Sequence, residues 1–425
     1  MRALVIGSGG REHALCWRLT HESHEVHAAP GSDGIAQSAT CHPEVDASDH
    51  DAVTKLASSL GVDVVIVGPE APLVAGLADR LRAAGVPTFG PGARAAELEG
   101  SKATAKAFMA RAGIPTAAHR TVTELSQAVE VVDEFVERFG VPPVVKADGL
   151  AAGKGVVVAQ TADEAKDALR AMMADGAHGG AGRTCVLEQR LVGKEVSLFV
   201  LTDGTRARTL LPAADHKRIG EGDTGPNTGG MGAYVPAPVF DAAVSDKARS
   251  RIVAPTLAAL AEEKRPFVGV LFIGLMIDPS GDPFVIEYNC RFGDPEIQPL
   301  LFGASEPVAE HLLAAARGEL SDGTLSGRPA VTVVAASAGY PASSRKGDVI
   351  TGLDVADGQP DVQVFHAGTQ RDSDGRWVTH GGRVLGVCAR ADTLAEALPR
   401  AYAAAAQIRF DGMQLRRDIG AQAVL

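Results

Sequence analysis

The stretch VVKADGLAAGKGVVVA, residues 144–159, places two valine-rich runs on either side of a glycine-rich turn that carries Lys154. It does not fit a phosphate-binding P-loop, because the spacing from Gly149 to Gly153 is one residue short and Gly155 stands where Ser or Thr should follow the lysine. A β-branched run, which is typical of a strand, comes after the turn. The stretch therefore predicts a β-hairpin whose backbone amides can cover the phosphates of a nucleotide. A surface hairpin without a ligand is the alternative.

The whole chain has the composition of an ordinary globular protein. Of its 425 residues, 45% are hydrophobic and 22% are charged, and this length suggests about three domains. The formal net charge of -11 argues against a general nucleic-acid or anionic-membrane surface. The apolar run at the N-terminus is too short for a signal peptide, and no stretch has the length of a membrane span. We therefore expect a cytoplasmic protein.

Cysteine and histidine spacing gives no support for a structural metal site. The five cysteines are scattered and form no CxxC pair, so we expect neither a disulfide framework nor a thiolate zinc site. His21, His24 and His27 lie close together in HESHEVH, but they lack the HExxH spacing. A solvated turn is the favoured interpretation of that cluster, with a metal site as the alternative.

The first hundred residues predict a parallel sheet covered on both faces, because apolar strands alternate with helical stretches. The predicted strands are residues 3–7, 25–30, 62–68 and 85–90. Gly7, Gly9 and Gly10 follow the first strand and place a helix N-terminus, near Arg11, against a phosphate. Glu12 occupies the third glycine position of the dinucleotide fingerprint, and no acid ends the second strand. A ligand with a single phosphate is therefore favoured over NAD.

The quoted hairpin belongs to a small predicted unit with the order α-β-β-α-β. Its two helices each have a predicted capping box, formed by Thr121 with Glu124 and by Thr161 with Glu164. The strand 184–191 completes the unit, which is small enough to be a lid.

A second glycine-rich segment, DHKRIGEGDTGPNTGGMGAY at 215–234, is too polar to be expected in a core, and long loops of this kind are usually functional or disordered. Two apolar runs joined by Pro-Ser-Gly-Asp then predict an antiparallel hairpin. Alternation along its second strand places Glu287, Asn289 and Arg291 on one face. A carboxylate, an amide oxygen and a guanidinium suit a site where Mg²⁺ bridges phosphates and an arginine holds an anion. A solvent-facing edge strand is the alternative.

Together these elements resemble the ATP-grasp ligases, and more narrowly the phosphoribosylamine–glycine ligase family, also called glycinamide ribonucleotide synthetases. The resemblance covers essentially the whole chain. It is carried by GSGGREHAL (7–15), PGSDG (30–34), VGPEAPLVAGLAD (67–79), KADGLAAGKGV (146–156), DHKRIGEGDTGPNTGGMGAY (215–234), NCRFGDPE (289–296) and HGGRVLGV (380–387). The long motif at 215–234 is highly specific, whereas the N-terminal glycines alone are not.

The resemblance implies an α/β and α+β multidomain protein, in which an ATP-grasp fold follows a Rossmann-like parallel α/β domain and precedes a small C-terminal domain. The implied domains are residues 1–101, 102–322 with 120–190 as the lid, and 327–425. The implied activity is the ATP-dependent ligation of glycine to 5-phosphoribosylamine, which gives glycinamide ribonucleotide, ADP and phosphate through glycyl phosphate, in the second step of de novo purine biosynthesis. It implies Mg²⁺ or Mn²⁺ as cofactor and small-molecule substrates as the only partners, without nucleic acid or membrane, and it is compatible with a monomer.

The resemblance also implies which residues bind the nucleotide. For ATP these are Lys102, Lys146, Gly153, Lys154, Gly155, Glu188, Leu191 and Glu195. The two lysines at 102 and 146 would reach the phosphates, and a triphosphate in a dry cleft needs such cations independently of any resemblance. Glu188 would lie on the adenine side and Glu195 on the ribose side, with the backbone near Leu191 between them. Glu287 and Asn289 would be the metal ligands.

One departure concerns the metal. Many ATP-grasp enzymes carry a further acid on the preceding strand, where this chain has LFIGLMI. The nearest acid, Asp278, lies at the end of that strand, so water or phosphate oxygens would complete the coordination.

For the other substrates the resemblance implies two groups of residues. The catalytic group is Arg291, Asp215 and Asp294, in which Arg291 would hold the carboxylate and its developing charge and the two acids would orient ammonium or amine groups. The substrate-binding group is Gly9, Gly10, Arg11, Glu12, Asp33, Glu70, Asp215, Lys217 and Gly230. Amides around Gly10, with Arg11, would receive the ribose 5-phosphate.

Three other functions are compatible with parts of the pattern. A biotin-carboxylase-like enzyme would activate bicarbonate in place of glycine. A non-catalytic nucleotide sensor would keep the glycine-rich lid but would not need both Glu287 and Asn289. A dehydrogenase is disfavoured because no acid ends the second strand.

Overall fold

The N-terminal segment of the computed structural model, which describes residues 1–150, 155–175 and 182–424, is a parallel α/β layer. Its elements are β1 (Arg2–Gly7), α1 (Gly10–His21), β2 (Glu25–Pro30), β3 (Thr40–Cys41), α2 (His50–Leu60), β4 (Val64–Val67), α3 (Glu70–Val74), α4 (Leu77–Ala83), β5 (Thr88–Phe89) and α5 (Ala93–Gly100). The strands form one parallel sheet in the order β3-β2-β1-β4-β5. Buried residues of β1 point alternately into two cores, so both faces of the sheet are covered as predicted.

The second segment forms a separate small unit with its own core. Its elements are β6 (His119–Val122), α7 (Leu125–Phe139), β7 (Val144–Ala147), β8 (Val156–Val158), α8 (Ala162–Met173) and β9 (Cys185–Glu188). The preceding helix α6 (Lys102–Arg111) buries its apolar side chains in a core that it shares with the N-terminal helices. The strands pair antiparallel in the order β6-β9-β7-β8, and α7 and α8 contribute apolar side chains to one core with them. The predicted hairpin of β7 and β8 is confirmed.

Only part of the predicted capping chemistry is correct. The hydroxyl of Thr161 accepts a hydrogen bond from the Glu164 amide at 3.2 Å, but the Glu164 carboxylate accepts from Gln160 rather than from Thr161. The box at Thr121 and Glu124 is wrong, because Thr121 lies in β6 and pairs with β9, while Glu124 precedes α7 without a side-chain cap.

The third segment supplies the large central sheet. Its elements are β10 (Lys194–Asp203), β11 (Ala207–Thr209), β12 (Ala214–Asp215), β13 (Arg218–Gly220), β14 (Thr224–Asn227), β15 (Gly232–Val235), α9 (Ala242–Ala248), α10 (Ala254–Glu262), β16 (Val268–Ile277), β17 (Pro283–Asn289), α11 (Ile297–Gly303), α12 (Ala309–Arg317) and β18 (Gly323–Thr324). The sheet order is β17-β16-β10-β11-β18, and β16 with β17 forms the predicted antiparallel hairpin. Both faces of β10 and β16 are buried, as their unbroken apolar runs require.

The C-terminal segment consists of β19 (Ala330–Ala336), α13 (Leu353–Asp357), β20 (Val362–His366), β21 (Thr369–Arg371), β22 (Trp377–Thr379), β23 (Arg383–Arg390) and α14 (Leu394–Ala405). Its sheet has the order β12-β15-β19-β23-β20 and therefore includes two strands from residues 214–235 of the third segment. The expectation that 215–234 is too polar for a core is wrong in part, because Met231 and Ala233 are fully buried. Pairing with β19, about a hundred residues later, makes this segment part of a sheet.

Candidate active site

Three buried charged side chains meet where the small second unit faces β17. Lys146 on β7 and Glu188 on the neighbouring strand β9 face each other, with 2.9 Å between Nζ and Oε1. The ammonium of Lys106 on α6 lies 2.9 Å from the other carboxylate oxygen. Burial alone would raise the pKa of Glu188, but the two lysines hold it below its usual range. Lys146 also donates to the Ile286 carbonyl at 3.2 Å, which ties this unit to β17.

Lys102 begins α6 beside the glycine-rich hairpin. Its ammonium donates to the Gly149 carbonyl at 3.0 Å, and the Asp148 carboxylate accepts from the Ala103 amide at 3.1 Å. Burial lowers the pKa of Lys102, and Lys146 adds to this effect. Gly155 is buried and its carbonyl accepts from Ala147 in the hairpin ladder. The predicted ATP contacts Gly153 and Lys154 lie outside the described residues.

The residues predicted to bind the metal lie at the end of β17. Burial alone would raise the pKa of Glu287, but Lys217, Lys146, Lys102 and Arg291 together hold it low, so the carboxylate is ionised. The amide oxygen of Asn289 accepts from Arg291 at 3.2 Å, while its buried Nδ2 has no partner among the described residues. An ionised carboxylate and an amide oxygen are hard donors that fit Mg²⁺.

Asp278 is not part of this face. Its carboxylate closes the turn between β16 and β17 by accepting from the Ser280 and Asp282 amides at 2.9 and 2.8 Å. Within residues 1–150, 155–175 and 182–424, no three His, Cys, Asp or Glu side chains converge in a manner that could hold a metal ion. Metal binding by Glu287 and Asn289 stays a prediction.

Arg291 lies between two acids, one of which the sequence analysis missed. Its guanidinium is 3.3 Å from Glu70 and 2.8 Å from Glu99, and Glu99 also accepts from the Cys290 amide at 2.7 Å. Burial opposes the charge of Arg291, but Glu99 and Glu70 raise its pKa above the usual value. Nothing in the local sequence around Glu99 indicates this role, because its partners lie about 190 residues later.

A second acidic group surrounds Lys217, which follows β12. The ammonium of Lys217 lies 2.7 Å from Glu195 on β10. Burial raises the pKa of Asp215 to about 7. Lys217 opposes this increase, whereas the nearby carboxylates of Glu296, Glu195 and Glu287 add to it. Glu296 is buried and accepts from Ser197 at 3.2 Å. The position of Glu296 in the motif NCRFGDPE is a sequence signal for a role in the site, but Glu296 is not among the predicted site residues. Leu191 lies in the connection between β9 and β10.

The start of α1 is built around a buried carboxylate. Glu12 accepts from the Gly9 amide at 2.7 Å and from Arg11 at 2.6 Å, which closes the helix N-terminus. A Cβ atom added to Gly7 or Gly68 would lie 2.6 or 2.1 Å from the Glu12 side chain, so both positions need glycine. The Glu12 side chain thus shapes the helix start that was predicted to receive a phosphate.

The C-terminal segment contributes side chains to the same region. Asp294 accepts from Arg383 at 2.8 Å with one carboxylate oxygen and from Gln298 at 2.9 Å with the other. Arg383 also donates to the Gly229 carbonyl at 2.6 Å, and a Cβ on Gly10 would lie 3.5 Å from Asp294. Arg383 therefore joins the 229–230 segment to Asp294 near the N-terminus of α1. Arg383 is not among the residues predicted from the sequence.

The remaining predicted substrate residues lie at this junction or beside it. Gly230 has φ +111°, and a Cβ there would lie 2.5 Å from the Pro295 ring, so glycine is required for this close approach. The carboxylate of Asp33 accepts from the Arg371 amide of β21 at 2.7 Å.

Comparison with known proteins supports the predicted family. Three family models match in succession: the N domain of phosphoribosylglycinamide synthetase over residues 1–99, its ATP-grasp (A) domain over 100–297, and its C domain over 330–422. The chain belongs to the phosphoribosylglycinamide synthetase family. The predicted resemblance and fold class are thereby confirmed.

Members of the phosphoribosylglycinamide synthetase family resemble this chain over its full length. A phosphoribosylamine–glycine ligase of Rhodopirellula baltica is 49% identical over 99% of this chain and 98% of its own. A chloroplastic phosphoribosylamine–glycine ligase of Arabidopsis thaliana is 50% identical over 99% of this chain and 83% of its own. The crystal structure of a Thermotoga maritima phosphoribosylamine–glycine ligase superposes with a TM-score of 0.85 at 32% identity, covering 99% and 100% of the two chains.

More distant structures share the fold alone. The biotin carboxylase domain of a Hydrogenobacter thermophilus 2-oxoglutarate carboxylase has a TM-score of 0.72 at 16% identity, over 97% of this chain and 91% of its own.

None of the described helices has the length and apolar character needed to cross a membrane.

Proposed function

We propose that this chain is a phosphoribosylamine–glycine ligase, which joins glycine to 5-phosphoribosylamine at the expense of ATP. The observation that carries the proposal is the full-length similarity, near 50% identity, to relatives of that name. The products are glycinamide ribonucleotide, ADP and phosphate, and the step belongs to purine biosynthesis.

The nucleotide side of the site is proposed to be the cleft between the small second unit and β17. Lys102 and Lys146 supply positive charge for the phosphates, and the predicted glycine-rich turn with Gly153, Lys154 and Gly155 would cover them. The 120–190 segment acts as the lid, an assignment that its separate core supports. Glu188, Leu191 and Glu195 line the nucleoside side, where Glu195 is paired with Lys217 at 2.7 Å.

Glu287 and Asn289 are proposed to hold Mg²⁺ or Mn²⁺, and the low pKa of Glu287 supports this role. The metal ion, when bound, neutralises phosphate charge and orients the terminal phosphate for transfer. The surrounding lysines and Arg291 keep the Glu287 carboxylate ionised, so that it is ready to bind a cation.

The proposed chemistry follows from the need to activate a carboxylate. One carboxylate oxygen of glycine attacks the γ-phosphorus of ATP, ADP leaves, and glycyl phosphate is formed. The amine of phosphoribosylamine then attacks the carbonyl carbon, loses a proton, and expels phosphate. Arg291 holds the glycine carboxylate, whereas Asp215, with Lys217 beside it, and Asp294 orient the ammonium and amine groups.

The ribose 5-phosphate is proposed to bind at the start of α1, where the helix dipole favours an anion. Gly9, Gly10 and Arg11 would contact the phosphate, while Glu12 holds their geometry. Asp33, Glu70 and Gly230 would line the rest of this pocket. Its position beside Asp294 brings the amine of the bound sugar towards the activated glycine.

The domain division is proposed as residues 1–101, 102–322 and 327–425. The match to the N domain ends at residue 99 and that to the C domain begins at residue 330, which supports the first boundary and the start of the third domain. The match to the ATP-grasp domain ends at residue 297, before the proposed end at 322. The sheet that contains β12 and β15 crosses the second boundary, so the third domain is completed by residues from the second.

The test is ADP release measured with Mg²⁺, glycine and freshly prepared phosphoribosylamine, each omitted in turn. We expect release only when all are present, whereas bicarbonate-dependent turnover without glycine would contradict the proposal. Glycine labelled with heavy oxygen in its carboxylate should deliver one labelled oxygen to each phosphate formed. Label that enters AMP would contradict the acyl-phosphate route.

A further inference from the structure

Lys106 is a buried cation that the proposed chemistry does not use. It lies one helical turn after Lys102 on α6, so both side chains leave the same face of the helix. Only 2% of Lys106 is exposed. Its ammonium donates to the Thr116 hydroxyl at 2.7 Å and lies 2.9 Å from Oε2 of Glu188. The Thr116 hydroxyl in turn donates to the Val285 carbonyl of β17 at 2.6 Å, so Lys106 is fixed from two sides.

Glu188 is therefore shared by two lysines. Lys146 approaches Oε1 and Lys106 approaches Oε2, each at 2.9 Å, and all three side chains are buried. The Oε1 atom has no hydrogen bond of good geometry, so its contact with Lys146 is an ion pair. An ammonium has three donors and Lys146 gives one of them to a backbone carbonyl of β17, so it can still donate to another acceptor. The ammonium of Lys102 and the carboxylate of Glu287 also act on this group, and their opposite charges offset each other. Three ammonium groups and two carboxylates therefore leave one net positive charge in a buried place, which is costly unless an anion uses it.

The charge count explains what Lys106 contributes. Without Lys106, Glu188 and Lys146 would form a neutral pair, and Lys146 would offer little attraction to a triphosphate. With Lys106 present, the carboxylate is already compensated and Lys146 keeps its positive charge for the ligand.

We propose that Lys106 is a positioning residue that acts through Glu188: it compensates the Glu188 carboxylate, so that the positive charge of Lys146 is directed at the nucleotide phosphates. This inference rests on the proposed binding of ATP phosphates by Lys146. It also assigns the Glu188 side chain to holding the two lysines, so that contacts with the adenine are left to the backbone of residues 188–191.

A double-mutant cycle of ATP binding tests the inference, because it isolates the part of the Lys106 effect that passes through Glu188. Dissociation constants are measured by calorimetry with MgATP alone for the wild type, Lys106→Met, Glu188→Gln and the double variant. We expect Lys106→Met to weaken binding about tenfold or more, in line with loss of a charge-assisted contact. In the Glu188→Gln background the same change should cost less than about twofold, since no carboxylate remains to neutralise Lys146.

Two controls separate positioning from a merely structural role. Lys166→Met removes an ammonium that pairs with Asp133 on the outside of the lid, and it should leave binding unchanged. In steady-state assays Lys106→Met should raise the KM for ATP but leave the KM for glycine within about twofold of the wild-type value. General destabilisation would change both KM values. If Lys106→Met does not fold, Lys106→Gln carries the same test, because it keeps a donor to Glu188 without the charge.

The outcomes are distinct. Additive effects in the cycle, or normal ATP affinity of a folded Lys106→Met or Lys106→Gln variant, would overturn this inference and leave the proposed function standing. A wild-type chain that does not bind MgATP at all would overturn the proposed function and this inference with it.

Discussion

At the scale of single residues, Glu287 is the clearest test of the proposed metal site. Its carboxylate is held ionised by nearby cations, so replacing it removes a ligand charge rather than core packing. We expect Glu287→Gln to lower kcat by about 10²-fold or more, because electrostatic stabilisation at the transferring phosphate is lost. Turnover is measured at saturating Mg²⁺, and thermal unfolding should show that the fold is retained.

Asp278 offers a matched control for that experiment. It is an acid on the same hairpin, but its carboxylate closes the turn after β16. Asp278→Asn should leave turnover close to that of the wild type. Equal losses in Glu287→Gln and Asp278→Asn, or no loss in the former, would speak against metal binding by Glu287.

Arg383 tests the contribution of the C-terminal segment to the substrate side. Its planar guanidinium serves Asp294 and the Gly229 carbonyl at once, and lysine cannot reproduce that fork. We expect Arg383→Lys to lower kcat/KM for phosphoribosylamine about tenfold or more, with little change in the KM for ATP. Arg376→Lys, at an exposed ion pair with Asp372 and Asp374, is the control and should behave as wild type. A matching rise in the KM for ATP would indicate that Arg383 supports the whole fold instead.

At the scale of elements, the two threonines with similar local sequence allow a paired stability test. Thr161 caps α8, whereas Thr121 lies in β6 with an exposed side chain. Thr161→Val should lower the free energy of unfolding by about 1 kcal/mol, because it removes the cap but keeps the shape. Thr121→Val should change it by less than about 0.5 kcal/mol, since valine suits a strand. Urea unfolding of both variants checks this, and equal effects would contradict the different roles.

Sequence patterns predicted the elements whose signal lies within the element itself or in a regular alternation of elements. The alternation of β1, β2, β4 and β5 with helices gave the parallel sheet, and the valine runs gave the hairpin of β7 and β8. The Thr121 capping box failed because its pattern is local, while the pairing of β6 with β9 joins residues more than sixty positions apart. The 215–234 segment was misjudged for the same reason, since its partner strand is β19.

The site residues also divide into those that a sequence pattern predicts and those that depend on partners distant in the sequence. Glu287, Asn289 and Arg291 share one strand and its end, so alternation was sufficient to group them. Glu99, Lys106 and Arg383 act on residues that are distant in sequence. No spacing pattern connects them to the site, and only the folded chain brings them together.

At the scale of the whole molecule, the contact between α1 and the C-terminal segment predicts a pH-dependent stability. Nδ1 of His13 accepts from the His366 amide at 2.8 Å, and both rings are buried. Burial lowers the pKa of His13 to about 4 and that of His366 to about 3. An unfolded histidine titrates near pH 6.5, so between about pH 6.5 and 4 the unfolded chain binds more protons than the folded one.

The free energy of unfolding should therefore fall as the pH falls through this window, by about 1–3 kcal/mol for His13 alone. His13→Asn keeps an acceptor near the position of Nδ1 but removes the titration, so its stability should depend less on pH than that of the wild type. His380→Asn, at an exposed histidine, is the control. Urea unfolding at several pH values makes the comparison, and parallel pH profiles for wild type and His13→Asn would exclude the predicted linkage.

The sheet shared by the second and third segments determines how this protein can be recombined with its relatives. β19 is flanked by β15 on one side and β23 on the other. In a chimaera that exchanges only residues 327–425, β15 of one parent would have to pair with β19 of the other. In a fragment made of those residues alone, the seven residues of β19 would form an exposed sheet edge, which can promote aggregation. The unit that can be exchanged between relatives is therefore discontinuous in the sequence. Residues 214–235 have to be exchanged together with residues 327–425.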